Sequence, residues 1–366
     1  MEIDIEKTRK DVATWLEKMA AGFDPGRFSF CSSGGIVPTD GPLAQMPTCF
    51  AMKIAWQMGL WEEWNKEKQG ACIDFIKSFQ RTDGYFDDPW LKANAKNNLK
   101  DYARVLLGRA HWKALTNRSQ GRRRAETRQS ASTLLMVGEK PDYPLPTELK
   151  DADNAVHYVK GLDWKYPWAA ASHFSHQLFL LSVNEIFFGY PVETIIDALV
   201  DTLSNYYDPD TGTWYDSNPP DAMKINGAMK VYSGLQWLSF PYPEASVLMD
   251  FALKQPFIKD GCGFLNRLFV VYNANKAVPE GYRKESVHKL AHQALEIAAN
   301  FRSEGGAFSF FEGKSQINYY GAVVSRGDNV SDLHGTAMFV WAIALALKIL
   351  GKEAPKGSEN WKPHKT

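Results

Sequence analysis

Apolar positions along the chain recur at helical spacing, and few segments alternate in the manner of a strand. Six stretches are apolar on nearly every side, with their polar residues confined to the first turn. They begin near Thr48, Ala125, Ser172, Lys224, Gly261 and Asp332. A helix of that kind has to be buried on nearly every side. Six other stretches carry a clear polar stripe and predict amphipathic partners. They are TRKDVATWLEKMAAG, KQGACIDFIKSFQ, TELKDADNAVHYVKGL, VETIIDALVDTLSNYY, EASVLMDFALKQ and ESVHKLAHQALEIAANF. The unit of buried helix, amphipathic helix and turn repeats every ~50–70 residues. It predicts an all-α chain, an α/α toroid of six helix pairs closed into an (α/α)6 barrel, with an open solenoid as the alternative. One domain over residues 1–351 is expected, with an inserted helix and loop at about 98–124 and a polar tail over 352–366.

The turns fit this pairing. TDGYFDD, DPDTGTWYD and SEGGAF each follow an amphipathic helix, and each supplies an aromatic residue that can fold back onto the pair. In a ring the buried helices run parallel, so their N-termini share one mouth. Free N–H groups and the helix dipole make such a mouth receptive to polar ligands.

Composition narrows the reading. The 366 residues are 45% hydrophobic and 23% charged, which excludes a disordered chain. Lys plus Arg and Asp plus Glu both number 42, so general nucleic-acid binding lacks an electrostatic basis. The best apolar run, TAMFVWAIALALKIL, is shorter than the ~18 residues a membrane span needs. The charged start MEIDIEKTRK lacks the apolar core of a secretion signal, and four scattered cysteines make no disulfide framework. The expectation is a reduced cytoplasmic protein acting on a small molecule, without a nucleic-acid partner. Its aromatic content of 13% serves either as core filler or as the lining of a cavity.

The first turns supply the candidate chemistry. His334 and Asp332 stand at the head of the most apolar helix; Asp332 reads first as an N-cap, His334 as acid, base or ligand. His173 and His176 share one helix face, as a proton-transfer pair or as capping groups. Glu126 and Arg128 enter a buried helix, where they need each other, a neighbour or a polar ligand. Lys224, Asn226 and Lys230 lie on another buried helix, with anion binding or outward snorkelling open for Lys230. Arg267 is a candidate anion ligand or an ion-pair partner of Asp260. Tyr272 and Trp168 are candidate sugar platforms. Walker, dinucleotide-binding, HExxH and serine-elbow motifs are absent from the sequence.

FIKSFQRTDGYF resembles the glutamine–tryptophan repeat of the terpenoid cyclase and protein prenyltransferase superfamily, with Phe86 in place of the tryptophan. Asp260-Gly261-Cys262 and the later His334 are similar to the metal ligands of prenyltransferase β subunits. The resemblance implies a Zn²⁺ held by Asp260, Cys262 and His334, and an isoprenoid or similar apolar substrate. The D-x-D-D run of class II cyclases is absent, and Asp87-Asp88 reads as a turn on the outer side of the repeat. Two alternatives stand beside this reading. One is a carbohydrate-active (α/α)6 enzyme, a glycoside hydrolase, polysaccharide lyase or sugar epimerase, using Glu126, Arg128, His173, His176 and His334. The other is a toroid that only binds a ligand or protein.

Overall fold

The computed structural model describes residues 3–20, 24–37, 45–94, 106, 113–238, 244–303 and 305–365, with the backbone alone over 113–119. The described chain is helical, as the periodicity predicts. Its helices are α1 (Ile5–Ala20), α2 (Met46–Gln57), α3 (Lys66–Lys77), α4 (Pro89–Asn94), α5 (Lys113–Met136), α6 (Ala152–Lys160) and α7 (Pro167–Phe188). They continue as α8 (Glu193–Leu203), α9 (Asp221–Leu235), α10 (Ala245–Lys254), α11 (Gly261–Ala277), α12 (Lys284–Ala298) and α13 (Leu333–Leu350). Beside short 3-10 turns there are two antiparallel hairpins, β1–β2 (Tyr207–Asp208, Thr213–Trp214) and β3–β4 (Asn318–Tyr319, Ala322–Val323).

Two compact units make up the chain. The first comprises Met1–Ile5, Pro144–Asn300 and Met338–Thr366. Within it α7 packs on α9, α9 on α11, α11 on α10 and α6 on α8. α7, α9 and α11 are the buried helices, and their residues are covered on almost every side. Glycine permits the closest approach: a Cβ on Gly234 would stand 3.0 Å from Ser175 Cα. The amphipathic α6 buries only Ala155 and Val159 and starts on Asp151, whose carboxylate accepts from Asn154 N.

The second unit comprises Glu6–Tyr143 and Phe301–Ala337. Here α2 packs on α5 and on α3. α2 is buried along nearly its whole length, whereas α3 buries only Gln69, Cys72 and Ile76. The glycine turns work as the sequence implies. Gln80 bridges Phe86, Arg302 bridges Phe308, and both phenyl rings are fully buried.

Three expectations change. Much of the insertion expected at about 98–124 falls outside the described residues, and from Lys113 the chain is already in α5, which continues into the buried stretch at Ala125. The C-terminal tail is not wholly peripheral, because Trp361 is fully buried and His364 lies 4.1 Å from Trp341. One segment, Leu333–Glu353, is long and apolar enough to cross a membrane by length and composition, but 83% of its apolar 18-residue stretch is buried within the protein.

Candidate functional site

The second unit gathers a set of ionisable groups around α2, α4, α5 and the head of α13. Glu126 is on α5 and nearly fully buried. Its Oε2 accepts from Gln45 Nε2 at 3.4 Å, while Oε1 is buried without a hydrogen-bond partner. The Tyr319 phenol stands nearby, close enough to act on its charge but outside good hydrogen-bonding geometry. Asp88, also buried, lies at the head of α4 and accepts from Leu91 N at 2.8 Å and Gln45 N at 2.9 Å. Gln45 therefore holds both carboxyls, one by its backbone and one by its side chain. Its own Oε1 accepts from Ser130 Oγ at 2.7 Å, which fixes the amide orientation.

Burial pushes the Glu126 carboxyl up to about 8, and the nearby charge of Asp88 adds to the effect. Burial also raises Asp88, to about 6, against the pull of three backbone N–H groups. The environment thus separates two carboxyls of the same chemistry: near neutral pH Glu126 holds a proton and Asp88 is ionised. Both line one cleft with Phe86, Asp87, Leu91, Lys92, Arg122 and Arg123; its empty space is about 310 Å³ including the open mouth. Arg123 is held by Asp87 at 2.6 Å and by Asp83 at 3.2 Å. Arg122 lies one turn before Glu126, and its charge favours the ionised form of that carboxyl.

His334 borders the same group of residues. Its ring stacks on Phe50 at 4.7 Å and leans on Phe310 at 4.9 Å, with Tyr319 edge-on at 5.7 Å. Nδ1 hydrogen-bonds to the side-chain oxygen of Gln316. Gly335 makes the position possible, because a Cβ there would fall 2.3 Å from Phe310 N. Asp332 serves as a scaffold. It accepts from Gly335 N at 2.7 Å, Phe310 N at 2.8 Å and Gln316 N at 3.2 Å, and burial raises it to about 6. Arg128 is buried on α5, lowered to about 10 by that burial and stabilised in its charged form by Tyr320.

The other sequence candidates belong to the first unit, where packing accounts for most of them. Arg267 donates Nε to Ala252 O and Nη2 to Leu253 O, both at 2.9 Å, and so closes the C-terminus of α10 instead of binding an anion or pairing with Asp260. Lys224 pairs with Asp221 at 3.3 Å and lies over the Tyr215 ring. Asn226 accepts from Asn266 Nδ2 at 2.8 Å. Lys230 acts on Cys262 through its charge, and Tyr272 is covered by Lys276 at 3.9 Å. His173 and His176 meet edge to face with centroids 6.3 Å apart, and His176 Nε2 lies 3.5 Å from Ser172 Oγ.

The zinc set reads differently in three dimensions. Asp260 is the N-cap of α11, and its Oδ1 accepts from Gly263 N at 2.8 Å. Burial pushes the Cys262 thiol up to about 12. His334 is engaged with Gln316. Among the described residues no group of three or more His, Cys, Asp or Glu is disposed to hold a metal ion.

No protein-family model matches the chain, and no curated protein matches it. Solved structures do. One is a protein from Actinoplanes, 12% identical with a TM-score of 0.47, over 93% of this chain and 98% of that one. Another is a mutant unsaturated glucuronyl hydrolase from Streptococcus agalactiae, 11% identical with a TM-score of 0.46, over 94% of this chain and 92% of that one.

The resemblance to terpenoid cyclases and prenyltransferases is therefore corrected. The enzyme named among the similar structures is a glucuronyl hydrolase. Six of the eight residues lining the cleft, Asp87, Asp88, Lys92, Arg122, Arg123 and Glu126, are ionisable. An isoprenoid there would strip water from those groups without replacing its hydrogen bonds.

Of the residues singled out in the sequence, Glu126, Arg128, Asp332 and His334 fall in the second unit, beside Asp88, Gln45, Gln316 and Tyr319, which the sequence reading did not single out as site residues. The Asp87-Asp88 pair is visible in the sequence but reads as the outer side of its turn. Asp87 does face Arg123, whereas Asp88 turns inward to cap α4.

Proposed function

We propose that this protein is an acid–base hydrolase of carbohydrates, with Glu126 as the acid and Asp88 as the base. One observation carries the reading: two carboxyls line a single cleft, tied by Gln45, and their surroundings raise Glu126 further than Asp88. Paired carboxyls of opposite protonation suit the cleavage of a glycosidic bond, which needs a proton delivered to the leaving oxygen and water activated as the nucleophile. In this scheme Glu126 gives its proton to the bridging oxygen as the C–O bond breaks. Asp88 takes a proton from the water whose oxygen bonds to the anomeric carbon. Two proton transfers among solvent and the pair then restore the starting state.

The neighbouring groups have matching tasks. Gln45 holds the two carboxyls in register, and Arg122 stabilises the Glu126 carboxylate left after proton donation. The cleft's charged lining favours such a polar substrate over a lipid.

The test is a panel of β- and α-linked oligosaccharides, neutral and uronic, assayed for new reducing ends. Activity should follow a bell between about pH 6 and pH 8, the positions of Asp88 and Glu126. Glu126→Gln should lower kcat by ~10²–10⁴-fold. A Glu126→Gln enzyme with wild-type kcat would refute the assignment.

A further inference from the structure

The cleft of Glu126 and Asp88 carries two cations that the chain leaves unmatched. Arg122 stands one turn before Glu126 on α5. Lys92 stands one turn after Asp88 on α4, where its backbone N donates to Asp88 O at 3.0 Å. Both side chains line the cleft. The third cation there, Arg123, is held by Asp87 and Asp83. Among the described residues neither Arg122 nor Lys92 has a side-chain hydrogen-bond or ion-pair partner.

The two carboxyls of the cleft do not fill that gap. Asp88 turns its oxygens to Gln45 N and Leu91 N. Glu126 is protonated near neutral pH and offers Arg122 little charge. Arg122 itself is partly buried, and that burial disfavours its charged form. A guanidinium stripped of part of its water, with no acceptor in return, is unfavourable until an anion reaches it. Its planar fork of N–H groups fits a planar carboxylate through two parallel bonds. Lys92 is exposed and adds a second positive charge from α4.

We infer that Arg122, aided by Lys92, sets the specificity of the cleft by gripping a carboxylate on the sugar, so that the substrate is a uronic-acid glycan and not a neutral one. The inference rests on the acid–base reading of the same cleft. It adds a contact made to the substrate's own charge, apart from the proton transfers of Glu126 and Asp88.

Binding is measured by calorimetry in a Glu126→Gln background, which prevents turnover and removes the carboxyl through which Arg122 could act on the chemistry. Two matched pairs differ in oxidation at C6: cellobiose against cellobiouronic acid, and α-1,4-galactobiose against digalacturonate. Cellobiose 6′-sulfate separates a carboxylate from another anion. In at least one pair the uronic member should bind about tenfold or more tightly than the neutral one. Arg122→Gln should abolish that preference while leaving the neutral sugar's affinity and the Tm unchanged. Arg122→Lys keeps the charge but not the fork and should restore part of it. Equal binding within both pairs, no binding at all, or a preference that survives Arg122→Gln overturns the inference. A sulfate bound more tightly than the uronates overturns the carboxylate. If the acidic preference holds but Glu126→Gln still hydrolyses glycans at the wild-type rate, the specificity stands and the acid assignment falls. If hydrolysis is lost in Glu126→Gln without any acidic preference, the acid assignment stands and the specificity falls.

Discussion

Replacing Glu126 by glutamine probes the energetic consequence of burying an acid. The wild-type carboxyl moves from 4.5 in the unfolded chain to about 8 when folded. The folded state therefore binds the proton more tightly, and its stability falls as pH rises from about 4.5 through about 8. At about 1.4 kcal/mol per tenfold change in acidity, that displacement sets a ceiling of ~5 kcal/mol. Water entering the cleft relaxes the burial penalty, so a loss of ~1–3 kcal/mol is the expected size. For a chain this long that is a fall in Tm of several degrees, at ~2 °C per kcal/mol. Asp88 adds a smaller loss of the same sign between its ordinary value and about 6. The amide introduced by Glu126→Gln resembles the protonated acid in shape, still accepts from Gln45 and cannot ionise. Melting curves between pH 5 and pH 9 should therefore show a steep decline for the wild type and a shallow one for Glu126→Gln. Parallel curves would show that Glu126 is ionised at neutral pH, and the acid role would be refuted.

Three further substitutions separate chemistry from scaffold. Asp88→Asn keeps one capping oxygen for α4 but loses the base; it should lower kcat by ~10²–10⁴-fold while Tm falls by only a few degrees. Gly335→Ala forces a methyl group against Phe310 N, and calorimetric melting should show a loss of ~2 kcal/mol or more together with the His334 geometry. Asp260→Asn should leave both Tm and metal content unchanged, because Asn caps a helix as well as Asp, whereas Asp260→Ala should destabilise by ~1 kcal/mol. Elemental analysis that found about one zinc per chain, lost in Asp260→Asn, would restore the metal reading.

The helices are legible because burial on all sides leaves a strong trace in composition. Each of the six apolar stretches lies in α2, α5, α7, α9, α11 or α13, and each striped stretch forms a partner helix. Glu126 and His334 are legible for a related reason, as polar groups entering helices that have no room for them. Asp88 is not, since a pair of aspartates after a turn reads the same whether the second faces water or a cap. Only the distant Gln45 backbone and α5 decide it. Gln316 and Tyr319 lie outside the helices, and their partners Phe50, Glu126 and His334 come from three separate helices. Asp260-Gly261-Cys262 is a contrasting case. A short motif is complete in sequence, yet the aspartate's geometry is that of a helix cap and the thiol is buried protonated.

The protonation state of Glu126 at neutral pH can be read directly by infrared difference spectroscopy of the wild type against Glu126→Gln. The account predicts a protonated-carboxyl carbonyl band in the wild type at pH 7 that is missing from the variant and fades as pH rises through about 8. A carboxylate band in its place at pH 7 would contradict it.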